Sequence, residues 1–446
     1  MTTILLNGCH VVTMDGERAE YPFGHVAIDG AAITSVGPGE GTWPADRVID
    51  ASGCLATPGL VNAHDHLYQW VTRGRAVDST LFEWLCELYP VWAKIDERVV
   101  ADAAMAALAW LARTGCTTSS DHHYVFPRGG GDVLGATVAA AGAVGLRFHA
   151  TRGSMDLGES DGGLPPDEVV EDLGTVLAAT EQAISRYHDP APGSMLRMGV
   201  APCSPFSVTG ELMLAAADLA RRHQVRLHTH LAETAEEDSY CREHFGCTPA
   251  EYLDSLGWLA PDVWLAHGVH LDDAAIRRIA ATGTGVAHCP SSNSRLGAGI
   301  CRTVDLVAAG VTVGLGVDGA ASNEEGSMLA EARQALLLAR ATGGPQALTV
   351  RRALELATLG GATLLGREGE IGSLEVGKLA DLALWRLDGL ASAGIADPVA
   401  ALVLGTRPSL MLLLVNGKVV VENDEVKTVD EAAVAAAAAQ AAASLR

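Results

Sequence analysis

Two histidines at the end of an apolar run are the residues whose spacing most clearly suggests chemistry. His64 and His66 follow the mostly apolar residues 58–63 and are two positions apart. Because residues two apart on an extended strand point to the same face, both imidazoles should face the same side. Neutral imidazole binds zinc and similar divalent metals. The motif predicts half of a metal site, and for this motif alone two structural histidines are an equal alternative.

Ionisable residues end four further apolar runs of the chain. A charged or polar side chain costs desolvation energy when buried, unless it is paired or bound to a metal. We therefore expect these residues to share one site. Ionisable residues that happened to fall at the starts of loops would not form so regular a pattern. They are, in chain order, Asp121, His122, His123, His228, His230, Glu233, His267 and Asp318.

A single metal ion is the predicted occupant of this site. His64, His66, His230 and Asp318 can supply three imidazole nitrogens and one carboxylate oxygen. That set leaves the open position for water that a catalytic metal needs. Two-metal barrel hydrolases often need a carboxylated lysine between the metals. The chain has only four lysines, and none ends a predicted inner strand.

Other strand-end residues are predicted to serve the reaction without binding the metal. His228 shares the strand face of His230 and should lie one layer lower, in a structural role. Glu233 lies three residues past His230, in the loop, with the reach of a proton shuttle. His267 brings a second donor to the same mouth. Arg152, at the end of the third run, is a candidate to bind a substrate carbonyl oxygen, with an ion pair as the alternative.

The elements that must position these residues alternate between strands and helices. Strands that alternate with helices pair in parallel through right-handed crossovers, so eight units predict a (β/α)8 TIM-like barrel. A doubly wound sheet is the alternative, weakened because no early run is followed by Gly-x-Gly-x-x-Gly. The eight strand-like runs are residues 55–63, 117–121, 146–151, 196–201, 225–230, 263–267, 283–288 and 311–318.

Both ends of the chain have a different pattern from the middle. Short alternating runs are separated there by Asn-Gly and Asp-Gly pairs, which are typical of hairpin turns. We predict a small β-sandwich domain built from residues 1–55 and 371–428. The barrel should then span residues 56–370, and the alanine-rich residues 429–446 should form a terminal helix.

Composition excludes several classes of function. The formal net charge of −23 repels polyanions, so neither nucleic acid nor an anionic membrane surface is an expected partner. The nine cysteines contain no Cys-x-x-Cys pair, which argues against a disulfide scaffold and fits a reducing compartment. Neither a signal-peptide start nor a membrane-spanning run is evident. We expect a cytoplasmic homo-oligomer that acts on a small molecule.

These motifs resemble the metal-dependent amidohydrolase superfamily over essentially the whole chain. Within it, the sequence is similar to the aminohydrolase branch that deaminates purines, pyrimidines and triazines. Longer, less generic stretches add to the likeness, namely residues 121–127, 151–155, 162–166, 202–208 and 288–293. The general motifs are His64-x-His66, residues 228–233, residues 265–268 and residues 316–323.

The resemblance implies hydrolytic deamination of a heterocyclic base, foremost 8-oxoguanine to urate and ammonia, with isocytosine-type bases as further substrates. It implies one divalent metal ion, foremost zinc, which activates water. Glu233 would pass a proton from that water to a ring nitrogen, and Asp318 would deliver one to the leaving amine. His267 would hydrogen-bond the tetrahedral centre. Gln69, in the motif His64-x-His66-x-x-Gln69, would hold the base through its amide.

Two other functions stay open at this point. An s-triazine hydrolase that removes chloride or alkylamine shares much of the same plan. A non-catalytic barrel that acts as a scaffold should have lost metal ligands, whereas all four residues of the predicted set are present. A comparison of turnover rates for oxopurines and triazines distinguishes a deaminase from a triazine hydrolase. Analysis of the metal content distinguishes an enzyme from a scaffold.

Overall fold

The computed structural model describes residues 3–446, which form two β-sheets surrounded by helices. The strands are β1 (Thr3–Val12), β2 (Glu20–Asp29), β3 (Ala32–Pro38), β4 (Arg47–Asp50), β5 (Cys54–Pro58), β6 (Leu60–Asn62), β7 (Cys116–His123), β8 (Arg147–Ser154), β9 (Leu196–Pro202), β10 (Arg226–Leu231), β11 (Val263–His267), β12 (Gly285–His288), β13 (Val313–Leu315), β14 (Leu382–Arg386), β15 (Leu410–Val415), β16 (Lys418–Glu422) and β17 (Glu425–Val426).

Most helices begin at a Thr or Asp whose side chain accepts a backbone N–H of the first turn, as Asp96 and Thr209 do. The α-helices are α1 (Leu81–Trp92), α2 (Glu97–Arg113), α3 (Val133–Val144), α4 (Leu173–Tyr187), α5 (Gly210–Arg222), α6 (Ala235–Phe245), α7 (Pro249–Ser255), α8 (Asp273–Thr282), α9 (Pro290–Arg295), α10 (Thr303–Ala308), α11 (Met328–Gly343), α12 (Val350–Glu355), α13 (Gly361–Leu364), α14 (Pro398–Leu404) and α15 (Glu431–Ser444).

Eight parallel strands form a nearly closed barrel in the order β13-β12-β11-β10-β9-β8-β7-β6. Its two edges meet where Ala63 N donates to Leu315 O over 2.9 Å and Asp318 N donates to His64 O over 3.0 Å. These strands are buried on both faces, as a parallel sheet covered by helices requires. The predicted TIM-like barrel is confirmed.

A separate sheet contains strands from both ends of the chain, as predicted. Its order is β17-β16-β15-β14-β5-β1-β2-β3, and β4 pairs with β1. The first apolar run of the barrel, 55–63, is in fact divided between the two sheets, because β5 pairs with β14 and β6 pairs with β7. Gly59 lies at the division, where a Cβ would stand 2.2 Å from the Thr117 side chain. The domain boundaries themselves stay a prediction.

A buried ion pair connects the sheets. Arg147, on β8, donates from Nε and Nη2 to the two carboxylate oxygens of Asp381 over 2.9 and 3.0 Å. Asp381 precedes β14 and also accepts the backbone N–H of Asn416. Both charged side chains are almost fully buried, so each depends on the other for compensation of its lost hydration.

The alanine-rich C-terminal stretch forms α15, which packs on α2 with Ala438 and Ala441 buried. Arg113 of α2 and Glu431 of α15 add an ion pair at 2.8 Å. In the described part of the chain, the helices are all too short or too polar to span a bilayer.

Candidate active site

The ends of the barrel strands bring the four predicted metal ligands together. His66 Nε2 lies 3.1 Å from His230 Nε2. The carboxylate atom Asp318 Oδ1 lies 3.4 Å from His64 Nε2 and 3.3 Å from His66 Nε2. All four side chains are buried. Parallel strands place their carboxyl ends at the same rim, which is why residues up to 254 positions apart meet here (His64 to Asp318).

Hydrogen bonds to the backbone assign the tautomers of two of these histidines. His66 Nδ1 lies 2.7 Å from His122 O, and His230 Nδ1 lies 2.6 Å from Cys203 O. Since a carbonyl oxygen can only accept, each Nδ1 carries the proton and each Nε2 presents a lone pair. Burial lowers the pKa of both imidazoles, so both are neutral.

His64 is oriented by His228, the residue predicted to lie one layer lower. His228 Nδ1 donates to Trp264 O over 2.8 Å, so its Nε2 is an acceptor. His64 Nδ1, 2.8 Å from that acceptor, is therefore the donor. His64 Nε2 is left as a buried lone pair for which the described residues offer no hydrogen-bond partner. Partners of this kind fix the orientation of metal-binding histidines.

The donor set fits a divalent cation. Three imidazole lone pairs and one carboxylate oxygen face one another, and without a positive charge between them they repel. Neutral imidazoles with one carboxylate are the ligand types of a catalytic zinc site. The ligand atoms of His64, His66, His122 and His230 lie within 4.8 Å of one another, and so do those of His64, His267 and Asp318.

Asp318 is held by bonds that leave one oxygen facing the histidines. Its Oδ2 accepts the hydroxyls of Ser292 and Ser322 over 2.6 and 3.2 Å, and Gly319 N donates to Oδ1 over 2.7 Å. Burial alone would raise the pKa of this carboxyl. The imidazoles that face the carboxylate, those of His64, His267 and His66, outweigh burial and hold the pKa well below its usual range. Asp318 is therefore an anion at neutral pH.

Glu233 and His267 lie side by side at the barrel mouth. His267 Nε2 is 3.6 Å from Glu233 Oε2, and its Nδ1 is 2.9 Å from Asn293 Oδ1. Burial raises the pKa of Glu233 to about 7. Burial lowers the pKa of His267, but the carboxylates of Glu233 and Asp318 raise it by more, so the net shift of the pKa is upward. Glu233 can therefore both take up and release a proton near neutral pH.

The cavity over these groups is small and mostly apolar. Its volume is about 30 Å³, room for about two water molecules. Leu81, Trp84, Leu85 and Tyr89 of α1 form one wall. A bicyclic base is larger than this volume, so the lining must open to admit one.

Gln69 presents an unpaired amide to this cavity. The side chain lies in the turn Leu67–Thr72 after β6 and is fully buried, yet neither Oε1 nor Nε2 has a hydrogen-bond partner in the part of the chain that the structure describes. Gly319 leaves room for it, because a Cβ there would stand 1.9 Å from Gln69 Oε1. A buried polar group without a partner costs free energy, which a ligand that pairs with it would recover.

Arg152 is not brought into the cavity. Its guanidinium donates to both oxygens of Glu171 over 2.9 and 2.7 Å and stacks on Phe126. The ion pair that was the alternative for this residue is therefore what the structure contains. A role in substrate binding stays a prediction, for which this geometry offers no contact.

A family model describes the same chain. The amidohydrolase family model matches residues 55–420. The chain belongs to the amidohydrolase family. It is a hydrolase that acts on C–N bonds, which confirms the predicted enzyme class.

Relatives within the amidohydrolase family include deaminases and triazine enzymes. The chain is 48% identical to 8-oxoguanine deaminase of Pseudomonas aeruginosa over 93% of its own length and 92% of that protein. It is 37% identical to hydroxydechloroatrazine ethylaminohydrolase of Pseudomonas sp. strain ADP, with 98% and 95% covered. The crystal structure of atrazine chlorohydrolase from Arthrobacter aurescens TC1 complexed with zinc superposes with a TM-score of 0.94 at 35% identity, covering 98% of this chain and 100% of that one.

Sequence reasoning assigned no role to several residues of this amidohydrolase site. His122 is the next-to-last residue of β7 and lies beside the rings of His64, His66 and His230. Its Nε2 donates to Ala201 O, and its Nδ1 has no hydrogen-bond partner among residues 3–446. The sequence signal for His122 is its position near the end of a predicted strand. Ser292 of α9 and Ser322 of the turn after β13 both donate to Asp318, and only their meeting in space reveals that role.

Proposed function

We propose that this amidohydrolase deaminates oxopurines, with 8-oxoguanine converted to urate and ammonia as its principal reaction. The observation that carries the proposal is the unpaired amide of Gln69, which lines the same cavity as His66 and His230. One amide offers an N–H donor and a C=O acceptor together, which matches the C=O and N–H of a lactam edge. The 48% identity to 8-oxoguanine deaminase of Pseudomonas aeruginosa supports the same substrate.

A single zinc ion is the proposed cofactor, held by His64, His66, His230 and Asp318. Bound there, zinc would lower the pKa of a water molecule toward about 7. The absence of a lysine from the barrel rim supports one ion rather than two, since the four lysines lie at positions 94, 378, 418 and 427. The zinc complex of the related atrazine chlorohydrolase supports the identity of the metal.

Two side chains in the cavity would transfer protons, and a third would stabilise the tetrahedral centre. Glu233 accepts a proton from water and donates it to the ring nitrogen next to the amidine carbon, as its pKa of about 7 allows. Asp318, an anion, accepts the second proton of the attacking water and delivers it to the leaving amine. His267, held by Asn293, donates a hydrogen bond to the oxygen that develops at the tetrahedral centre.

The setting we propose is purine metabolism in the cytoplasm, in a homo-oligomer. The nine free cysteines support a reducing compartment. The net charge of −23 supports a small-molecule substrate and argues against nucleic acid or an anionic membrane as a partner.

The test compares kcat/KM for 8-oxoguanine and for a chlorotriazine in the natural protein and in Gln69→Leu. The chlorotriazine has no lactam edge and would leave the amide unpaired, at a cost of roughly 1–3 kcal/mol, or about one to two decades in kcat/KM. We expect 8-oxoguanine to be the better substrate and Gln69→Leu to narrow its advantage.

Gln440→Leu, the same substitution on the exposed face of α15, is the matched control and should leave both values unchanged. A chlorotriazine that outperforms 8-oxoguanine in the natural protein would replace the deaminase proposal with the triazine hydrolase alternative.

A further inference from the structure

Glu237 of α6 is a fully buried carboxylate that binds the backbone of the loop carrying Glu233. Its Oε1 accepts the N–H of Ala232 over 2.8 Å, and its Oε2 accepts the N–H of Glu233 over 2.9 Å. Each carboxylate oxygen thus holds one of two consecutive amides. The residue lies outside the cavity and acts on the reaction from behind this loop, where its carboxylate also adds to the negative charge near Glu233 and His267.

The chain contains an internal comparison for this contact. In α7, Thr248 begins the helix and Glu251 returns its carboxylate to Thr248 N and Oγ1, both over 2.9 Å, which is the usual capping box. In α6, Thr234 begins the helix and Glu237 stands at the same third position. The carboxylate of Glu237, however, reaches past Thr234 to the two residues before it. The glutamate at the third helix position therefore binds the loop before α6, whereas Glu251 binds the capping residue of its own helix.

The loop needs such a restraint because its backbone is strained. Ala232 has a φ of +52°, in the left-handed region that a residue with a Cβ rarely adopts. Its carbonyl accepts the N–H groups of Val269 and His270, from the loop after β11, over 2.9 and 2.8 Å. A strained residue persists only where its surroundings hold it, and Glu237 supplies the bonds from the other side. This turn places Glu233 Oε2 3.6 Å from His267 Nε2.

We propose that Glu237 is a positioning residue that sets the place of the Glu233 carboxylate in the proton transfer. The inference rests on the proposed role of Glu233. A carboxylate can accept from both amides at once, whereas a glutamine can accept from only one and turns its own N–H₂ toward the other. Without the two hydrogen bonds from Glu237, Ala232 can leave its left-handed backbone conformation, and the Glu233 side chain is displaced as a result. Proton transfer is sensitive to displacements of about 1 Å, which can cost about a hundredfold in rate.

The experiment is a double-mutant cycle between positions 237 and 233. Glu237→Ala should lower kcat about a hundredfold, with KM within about threefold and zinc content unchanged, since only the shuttle is displaced. Glu237→Gln, the conservative variant, should lower kcat by about tenfold, because one of the amides keeps its acceptor. In the Glu233→Gln background, Glu237→Ala should change kcat by less than about threefold, since residues that act as a unit are not additive.

Glu251→Ala is the matched control, because it removes a capping glutamate at the same helix position of α7, next along the chain. It should lower the melting temperature while kcat stays at the natural value. Losses of kcat at position 237 that are equal in both backgrounds, an unchanged kcat in both variants, or loss of zinc would each overturn the proposal. If Glu237→Ala does not fold, Glu237→Gln carries the cycle. The cycle uses any heterocycle that the natural protein deaminates, so failure of 8-oxoguanine as substrate is a separate result.

Discussion

Replacement of Glu233 by glutamine removes a proton carrier and leaves the shape of the cavity. The side chain is 7% exposed, and its Oε2 lies 3.6 Å from His267 Nε2, so it has little contact with bulk water. Glutamine has nearly the same volume and can still form hydrogen bonds, but it cannot take up and release a proton. Any loss of rate in Glu233→Gln therefore reports the transfer itself.

The pKa of Glu233 suits it to both steps of the proton transfer, and the expected loss of kcat is that of general acid–base catalysis. With a pKa of about 7, roughly half of the carboxyl groups carry a proton at pH 7, against about 0.3% for an ordinary glutamate with a pKa near 4.5. Both the accepting and the donating forms are thus well populated. General acid–base catalysis contributes about 10²–10⁴-fold, which corresponds to about 2.7–5.5 kcal/mol of barrier. We expect kcat to fall by that factor.

The pH profile gives a second signature with a definite sign. Uptake of a proton from water requires the carboxylate form of Glu233, and that form is lost as the pH falls through about 7. In the natural protein, kcat should therefore decline by about tenfold per unit below pH 7. Glu233→Gln has no group to titrate at this position, so this limb should flatten.

The assay follows ammonia release from 8-oxoguanine across pH 5 to about 9, with zinc measured in each preparation. Glu236→Gln, three residues further along the chain at an exposed position of α6, is the control and should match the natural protein. Loss of zinc in Glu233→Gln would make Glu233 a ligand and refute the reasoning. A kcat within about threefold of the natural value would refute it as well, because a shuttle cannot be dispensable.

Two further predictions concern the metal and the connection between the sheets. Elemental analysis of protein prepared without chelators should give about one zinc per chain, as expected for one four-ligand site, and a reproducible value near two would reject the single-ion proposal. Asp381→Ala should lower the free energy of unfolding by about 3–5 kcal/mol in urea titrations, since it leaves the buried guanidinium of Arg147 unpaired. Asp305→Ala, which breaks an exposed pair with Arg302, is the control, and an equal loss there would remove the special role of burial.

The barrel was predictable because its signal is local and repeated. A strand buried on both faces needs a short apolar run, and a crossover helix needs an amphipathic stretch, so their alternation is readable one segment at a time. Parallel strands must end at the same rim, so polar residues after several strands had to meet. The place of His64, His66, His230 and Asp318 beside one another followed from that rule alone.

The sequence by itself thus determined the fold class, the separate sheet at both chain ends and the residues that gather at the barrel rim. The tertiary structure alone decided where the first run divides, because Gly59 is recognisable as a junction only with Thr117 packed against it. It also decided that Arg152 binds Glu171 and that Glu237 holds the loop of Glu233. Long side chains reach several partners at similar cost, and hydrogen-bond geometry in three dimensions selects among them.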